Sequence, residues 1–544
     1  MKNASLKFYS NNKFPGDKVF REDEDVAIGF DGYLLNSVLL KKQTGAKDVF
    51  TLLKILFQAK GRDFLKDLRG SFTGFIYEKE KDIWHIFTDH LGTKPFFYSP
   101  ENGLFCFSSS LQSICSVLNQ LDKNLNLSEM GAYLMLTFGF MLGDTTLVEG
   151  IKKVPAGTVL TYDGKNIESS SYYQLDNTNY RQERKSDIIE NLHSLFNEAI
   201  KLEYEKDKEF GYSHLATLSG GLDTRMNVSY AVKNGFRDIQ TFCFSQSGYR
   251  DEVIARQIAQ KLHLDFTFYS LDGGDYLTNI DEPVRSNDGL VFYAGASHEL
   301  TAIKALDLNN RGMIHTGQIG DLVLGSYLKG KRHYDVSDSI IKYSSNSTTL
   351  WERIPQSYWK SLKDNYSNGE LFAFYERCIN GAYNGNFMGY QFTEVSSPFL
   401  HLDFFDYSMN IHPEFRYHRK IYIEWIASQN RNMAKFRWES LNKRPTKMNI
   451  HLWQINRLFS RITNLLLKNF GRLTYSMTPW EHWYQTNTNL SEFITRTFKE
   501  NLNLLEGKNQ LKNDAEDLFR NGNFLEKTQV LTLLKAVKYL NLKT

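Results

Sequence analysis

Ser219-Gly220-Gly221 and the nearby Asp223 are residue types that suit a phosphate group and the cation that accompanies it. The two glycines remove the Cβ atoms that would keep a phosphate away from backbone N–H groups. Asp223 offers a hard carboxylate oxygen of the kind that Mg²⁺ prefers. The chain has no Walker A pattern with its lysine, so a phosphate loop here would be of another kind. Taken alone, the motif fits a tight strand-to-helix turn equally well.

The flanking segments predict how such a loop would be held. Residues 214–218 form a short apolar strand candidate, and residues 226–232 have a helical pattern. A strand, a glycine turn and a helix N-terminus place free N–H groups around an anion. The rhythm continues with strands at 239–244 and 266–269 around a helix at 251–262. Strands that alternate with helices predict a parallel, doubly wound sheet, whose ligands lie at the carboxyl ends of its strands.

The N-terminal part has a different pattern. Residues 71–77 and 83–87 predict an antiparallel hairpin, and residues 49–58 predict a helix, which together indicate an α+β region. The polar, charge-rich residues 166–187 mark the expected boundary. The predicted units are residues 1–175, residues 185–450 and a helical C-terminal extension, 451–544. In that extension, residues 452–461 are amphipathic and basic, which leaves open a membrane-surface helix or an ordinary packing helix.

The composition is typical of a globular protein and gives no sign of a disulfide-rich or membrane-spanning one. A chain of 544 residues is too long for one core, and its 41% hydrophobic and 23% charged residues are typical of globular proteins. The net charge of +3 gives no reason to expect nucleic-acid binding. The four scattered cysteines argue against a zinc ribbon or a disulfide framework. With no signal-peptide pattern and no run of about 18 apolar residues, we expect a cytoplasmic protein without a membrane span.

Several segments, in order, resemble the asparagine synthetase family, whose members join a glutaminase-like domain to an AMP-forming synthetase domain. Residues 218–224 look like its pyrophosphate loop, and residues 316–327 resemble its second signature. Glu394 with residues 397–400 is similar to its Glu and Pro-Phe-Leu-Asp segment. Further segments resemble the helix after its adenine-contacting strand (251–259) and its glutaminase scaffold motifs (68–72, 89–98 and 154–157). The resemblance covers residues from about 26 to 450.

The resemblance implies a fold and a set of ligands. The expected fold is a truncated Ntn-hydrolase-like α+β domain of stacked antiparallel sheets. A doubly wound α/β ATP-pyrophosphatase domain with a helical C-terminal part follows it. ATP and Mg²⁺ are the implied cofactors, with Asp223 and Asp321 on the metal and Gln318 and Asp321 at the acceptor. The implied nucleotide-binding residues are Leu218, Ser219, Gly220, Gly221, Asp223, Thr224, Phe244 and Gly317.

The same resemblance implies three catalytic candidates. A lysine in the region of Lys443 and Lys447 would stabilise charge on the α-phosphate side, with a solvated basic turn as the alternative for either residue. Glu394 would orient the acceptor or act as a base, with a structural ion pair as its alternative. The reaction adenylates a carboxylate, releases pyrophosphate and ends with attack by an amine.

This sequence departs from the family pattern in two places. Lys2 follows Met1 where the family has its nucleophilic cysteine, and Asp31 stands in place of an oxyanion-binding amide. We therefore expect the glutaminase-like domain to be inactive. In the second signature, Gln318 and Leu322 replace acidic residues, and His401 replaces the last carboxylate of Pro-Phe-Leu-Asp. An aspartate acceptor is therefore doubtful.

The leading hypothesis is an AMP-forming amide synthetase that joins a small carboxylate to free ammonia or an amine. One alternative is a nucleotide-binding or scaffolding relative without catalysis, and a second is a glutamine-hydrolysing asparagine synthetase with a misassigned start. A tRNA-modifying enzyme would be expected to have paired cysteines and a basic face, neither of which is visible. The oligomeric state stays open, with a homodimer among the alternatives.

Overall fold

The computed structural model describes residues 11–100, 105–446, 448–449 and 476–544 of the chain. The strands in these residues form one six-stranded, one five-stranded and one three-stranded sheet. In chain order they are β1 Val19–Glu22, β2 Val26–Leu34, β3 Gly70–Glu78, β4 Ile83–Thr88, β5 Phe97–Ser99, β6 Cys106–Ser108, β7 Lys152–Lys153, β8 Thr158–Tyr162, β9 Ile167–Ser171, β10 Ser213–Thr217, β11 Ile239–Ser245, β12 Asp265–Ser270, β13 Arg311–His315 and β14 Val395–Ser396.

The α-helices of the described residues make up most of the C-terminal part. They are α1 Ser37–Thr44, α2 Val49–Lys60, α3 Leu111–Gln120, α4 Glu129–Phe138, α5 Lys185–Glu209, α6 Leu222–Lys233, α7 Arg250–Leu262, α8 Asp281–Ser286, α9 Ala294–Lys304, α10 Gly320–Val323, α11 Asp338–Ser344, α12 Gln356–Asp364, α13 Gly369–Phe372, α14 Leu402–Met409, α15 Pro413–Arg416, α16 Lys420–Gln429, α17 Arg431–Ala434, α18 Trp480–Thr486, α19 Thr488–Asn501, α20 Asn509–Asn521 and α21 Phe524–Leu540. A π-helix, Ala373–Ala382, follows α13 directly.

The N-terminal six-stranded sheet is antiparallel, in the order β1-β2-β3-β4-β8-β9. Because successive side chains of a strand point to opposite faces, β3 contributes to two cores. Phe72 and Ile76 pack with α2 on one face, whereas Phe75 packs with Phe107 of the three-stranded sheet on the other. The predicted hairpin and helix are therefore confirmed, and the two antiparallel sheets are stacked.

The predicted boundary segment was wrong in one respect, because it contains a strand. β9 pairs antiparallel with β8 at the edge of the N-terminal sheet. Its burial alternates only between exposed and half-buried, so the sequence carries no apolar alternation that would reveal it. The polar connection that does separate the two sheets lies after Ser171 and ends where α5 begins at Lys185.

The five-stranded sheet has the order β12-β11-β10-β13-β14, and its pairs are parallel. From β10 the chain moves outward to β11 and β12, then returns to place β13 on the other side of β10. The loops that follow β10 and β13 therefore lie side by side at the carboxyl edge, where the strand order reverses. Such a switch point forms the ligand crevice of a doubly wound sheet.

The C-terminal residues that the structure describes are helical, as predicted, and two of their helices, α20 and α21, are separated by a short break. The break falls at Gly522, and Asn523 then caps α21 by accepting from the Glu526 N–H at 3.1 Å. α21 is buried along most of its length, and the Gln529 side chain donates to the Met135 carbonyl of α4 at 3.0 Å. The basic segment 452–461 lies outside the described residues. Among the described helices, none is long and apolar enough to span a membrane.

Candidate functional site

The loop after β10 forms a turn with internal hydrogen bonds, and no side chain of this turn caps the N-terminus of α6. Leu218 is buried, and its N–H continues the sheet by donating to the Phe242 carbonyl at 2.8 Å. The Ser219 N–H donates to Thr224 Oγ1 at 3.0 Å, and the Gly221 N–H donates to Ser219 Oγ at 3.1 Å. Gly221 is the N-cap of α6, where no side chain caps the helix. The first turn of α6 therefore presents N–H groups and a positive dipole end to a ligand.

Two side chains that the sequence motif did not reveal hold this loop in shape. The carboxylate of Asp251, at the start of α7, accepts from the Gly220 N–H at 2.8 Å. The buried guanidinium of Arg225 donates to the carbonyls of Gly220 at 2.6 Å and Gly221 at 2.8 Å, and to that of Arg437 at 2.7 Å. Burial lowers the pKa of Arg225 to about 10. Arg225 thus fixes the glycine loop to the segment that follows α17.

The second loop, between β13 and α10, packs directly against the first. A Cβ atom on Gly317 would lie 2.5 Å from the Thr224 backbone nitrogen, and one on Gly320 would lie 2.8 Å from the Asp223 carboxyl carbon. Ile319, between them, has a φ of +70°, a region that a β-branched residue rarely adopts. Glycine is needed at both positions because the two loops pack so closely that a Cβ atom would clash with the residues of the first loop.

Asp223 and Asp321, predicted as metal ligands, are brought together by these loops. The Asp321 N–H donates to Asp223 Oδ2 at 3.1 Å, and the Tyr422 hydroxyl donates to Asp223 Oδ1 at 2.7 Å. Burial, followed by repulsion from Asp321, raises the pKa of Asp223 to about 7. A divalent cation between two carboxylates would relieve both effects, and carboxylate oxygens are the ligands that Mg²⁺ takes. The residues present therefore fit the metal.

Arg419 is a further cation at this site that sequence reasoning missed. Its Nη2 donates to Asp321 Oδ2 at 3.0 Å. Its Nε–H is buried and has no hydrogen-bond partner among the described residues. The residue has a φ of +58°, and its backbone precedes α16. No periodicity or motif marks it in the sequence, because it lies almost a hundred residues from Asp321.

Gln318, predicted at the acceptor, is fully engaged by one neighbour. Its Nε2 donates to Asn386 Oδ1 at 2.9 Å, while Asn386 Nδ2 donates to Gln318 Oε1 at 2.6 Å. The Ser397 hydroxyl donates to the Gln318 carbonyl at 2.8 Å. This position therefore presents a neutral amide pair rather than a charge, and Asn386 is its unforeseen partner.

The remaining nucleotide and lysine candidates lie around the same edge. Phe244, half-buried near the end of β11, packs against His298 with ring centroids 5.1 Å apart. Lys443 is exposed, and its carbonyl accepts from the Trp438 N–H at 2.8 Å. Within that turn the Glu439 N–H donates to the Gly220 carbonyl at 3.1 Å, so the turn adjoins the glycine loop. Lys447 lies outside the described residues.

The structure does not bring Glu394 to the two aspartates. It precedes β14, and its carboxylate is buried against the N-terminal part, 2.8 Å from Lys94 Nζ and 3.0 Å from Lys18 Nζ. Burial would raise the pKa of Glu394, but the two ammonium groups outweigh it and hold the pKa at about 2. Asp31 completes the cluster, 3.6 Å from the Lys94 ammonium. These contacts are those of an ion pair; a catalytic role for Glu394 stays a prediction.

Below the second loop, β13 is anchored by a buried network that sequence reasoning also missed. His315 Nε2 lies 2.7 Å from Asp207 Oδ2, and His214 Nδ1 lies 2.9 Å from the same oxygen. Burial lowers the pKa of His315, but Asp207 and Glu203 outweigh it and raise the pKa to about 9. The imidazole ring also stacks on Tyr204, with centroids 3.8 Å apart. The strand that carries the second loop is thus held by a charged hydrogen-bond network.

Comparison with known proteins agrees with this geometry. Two family models match the chain: "glutamine amidotransferase domain" over residues 16–173 and "asparagine synthase" over residues 191–377. A Methanocaldococcus jannaschii protein, provisionally named glutamine-hydrolysing asparagine synthetase 2, is 26% identical over 332 residues, which is 57% of this chain and 61% of that protein. Asparagine synthetase B (glutamine-hydrolysing) of Escherichia coli K12 is 23% identical over 337 residues, which is 57% of this chain and 54% of its own length.

The fold is therefore an Ntn-hydrolase-like part built of antiparallel sheets, followed by a doubly wound α/β part with a helical C-terminus. The chain belongs to the asparagine synthetase family. The matches span only 54–61% of those two relatives. Among solved structures, a Bacillus subtilis glutamine phosphoribosylpyrophosphate amidotransferase complexed with ADP and GMP covers 55% of this chain and 63% of its own at 10% identity. Its TM-score of 0.21 is too low to carry an argument.

Proposed function

We propose that this protein is an ATP-dependent, AMP-forming amide synthetase that activates a carboxylate as an acyl-adenylate for attack by ammonia or an amine. The observation that carries the proposal is the contact between the two loops, in which Asp223 and Asp321 meet beside the open N-terminus of α6. An uncapped helix N-terminus that offers N–H groups and a carboxylate pair that suits Mg²⁺ are what a nucleoside triphosphate requires.

Each part of the site has a role in such a reaction. The N–H groups of the uncapped first turn of α6 would bind the β- and γ-phosphates, while the N–H groups of Ser219, Gly220 and Gly221 hold the loop in shape. A carboxylate oxygen of the acceptor would then attack the α-phosphorus, and pyrophosphate would leave. Mg²⁺, when bound to Asp223 and Asp321, neutralises the charge that grows on the departing pyrophosphate. Arg419 is placed to share that work through its unpartnered Nε–H.

The amine then attacks the acyl carbon, the bond to AMP breaks, and an amide forms. A lysine is proposed to stabilise the charge on the α-phosphate, with Lys443 and Lys447 as the candidates. The contact between Glu439 and Gly220 supports this region, because it places the turn that contains Lys443 next to the phosphate loop. Phe244, at the edge of the neighbouring strand, would contact the adenine.

The acceptor and the donor are proposed to differ from those of an asparagine synthetase. Gln318, paired with Asn386, offers amide groups where an acidic residue would bind the ammonium of aspartate. Asp31, in place of the oxyanion-binding amide, is neutralised by Lys94 and Lys18 and offers no side-chain donor to an oxyanion. We therefore infer a non-aspartate carboxylate as acceptor and free ammonia or an amine as donor.

The test is pyrophosphate release from ATP and Mg²⁺ in the presence of ammonium and a panel of carboxylates. We expect release that depends on one carboxylate class and is abolished in Asp223→Ala. Glu424→Gln, which removes the partner of Lys185 on the outer face of α16, is the matched acidic control and should keep the rate. Binding of ATP·Mg without turnover on any carboxylate would instead support a non-catalytic relative.

A further inference from the structure

A cleft of about 570 Å³ lies away from the nucleotide loops, between the N-terminal part and the helices that follow β13. Its walls include the segment around β7 on one side, and α12 and the π-helix Ala373–Ala382 on the other. This volume is within the range of small-molecule sites, about 300–1,000 Å³. Nothing in the proposed synthetase reaction uses this cleft.

The wall of the cleft contains a buried lysine, Lys153, whose ammonium group has one side-chain acceptor and no ion pair among the described residues. Lys153 is only 8% exposed, and its Nζ donates to Asn380 Oδ1 at 2.7 Å. Among the described residues, no carboxylate lies within 4.0 Å of this ammonium group. An ammonium carries three donors and a full charge, so one amide acceptor satisfies it poorly in a buried place.

The nearest acid, Glu376, does not serve as its partner because its own oxygens are already engaged. Its Oε2 accepts from the Gly143 N–H at 2.9 Å and from Asn380 Nδ2 at 2.9 Å, and its Oε1 accepts from the Tyr366 hydroxyl. Glu376 thereby orients the Asn380 amide so that its oxygen faces Lys153. The lysine is thus held in position without a direct ion pair among the described residues.

The rest of the wall is aromatic. Tyr173, Tyr358 and Tyr375 line the cleft and present flat, amphipathic surfaces. We propose that this cleft binds a small organic carboxylate, whose carboxylate group pairs with the Lys153 ammonium and whose planar body lies against the tyrosines. The site is separate from the acceptor position at Gln318, and the proposal does not depend on the synthetase activity.

The experiment uses the full chain without ATP and measures binding of benzoate and of its uncharged analogue benzamide by calorimetry. We expect benzoate to bind and benzamide to bind at least about tenfold more weakly (about 1.4 kcal/mol), because benzamide lacks the negative charge that pairs with the Lys153 ammonium. Lys153→Met should weaken benzoate binding by a similar factor. The matched control is Lys60→Met, which removes a half-exposed lysine outside the cleft, 2.7 Å from Asp67, and should leave the affinity unchanged.

A second measurement needs no variant and stands even if Lys153→Met does not fold. Burial lowers the pKa of Lys153 to about 8, although Glu376 and Asp89 oppose the shift. Asp144 raises the pKa of Lys152, which therefore keeps its charge in the same interval. Benzoate affinity of the unaltered protein should thus fall as the pH rises from 7 to 10. Equal affinities for benzoate and benzamide, equal binding of inorganic phosphate, no effect of Lys153→Met or a flat pH profile would each overturn the proposal.

Discussion

Replacing Gly317 by alanine should damage the site by moving its two loops apart. The added Cβ would lie 2.5 Å from the Thr224 nitrogen and 2.6 Å from the Asp223 carbonyl carbon. Both obstacles are backbone atoms, which cannot rotate away, so the loops must separate by about 0.5–1 Å to reach an ordinary contact. Gly317 is not in the left-handed region, so the effect is steric alone. We expect about 1–3 kcal/mol of lost stability, the usual range for overpacking.

The effect on ligand binding should exceed the effect on stability. A displacement of about 1 Å at a binding constellation can cost about 100-fold, so we expect ATP·Mg affinity to fall by about 10- to 100-fold. Calorimetric titration with ATP and Mg²⁺ measures this, and urea unfolding measures the stability. The control is Gly330→Ala, where the new methyl group meets nothing within 4 Å and both quantities should stay near those of the parent protein. Parental ATP affinity in a folded Gly317→Ala protein would refute the reasoning.

The other predictions concern buried charge. Because the Asp223 pKa is raised to about 7, its ionisation opposes folding as the pH rises through that value. At pH 8 without Mg²⁺, the free energy of unfolding of Asp223→Asn should therefore be about 1–3 kcal/mol higher than that of the parent protein. In urea titrations, added Mg²⁺ should raise the free energy of unfolding of the parent only. Glu394→Gln should lower the unfolding free energy by about 3–5 kcal/mol, since Lys18 and the buried Lys94 lose the nearer of their two carboxylate partners; unchanged stability with lost turnover would instead favour catalysis. Because the pKa of His315 is raised to about 9, its protonated side chain stabilises the fold. This contribution is complete below pH 6.5 and is lost as the pH rises through about 9. The parent should lose about 2–4 kcal/mol more over that interval than His315→Gln, and parallel profiles would contradict the assignment.

Much of the fold could be predicted because local patterns and global packing agree. The apolar runs of β3 and β4 and the alternation of strands and helices from β10 to β12 are produced by burial, which leaves a pattern in the sequence. β9 was missed because an edge strand with mostly exposed side chains needs no apolar residues. The boundary between α20 and α21 is determined by the N-cap residue Asn523. The spacing of apolar residues alone does not reveal such a cap.

The site was predictable only where its chemistry lies in a contiguous motif. The glycine loop and Asp223 could be found because a phosphate requires backbone N–H groups close to one carboxylate. Arg225 donates to the Arg437 carbonyl 212 residues away, Tyr422 reaches Asp223 across 199 residues, and Arg419 reaches Asp321 across 98. Such contacts leave no spacing in the sequence. They follow from the packing of α16 against α5 and of α17 against α6.

The central claim is that the two loops form one ATP·metal site, and it can be tested directly by crystallography. The measurement is the anomalous signal of Mn²⁺ in crystals of the protein grown with a non-hydrolysable ATP analogue. We expect an Mn²⁺ peak bound by carboxylate oxygens of both Asp223 and Asp321, with the phosphates on the N–H groups of the first turn of α6. Nucleotide bound elsewhere, or Mn²⁺ that contacts neither aspartate, would contradict it.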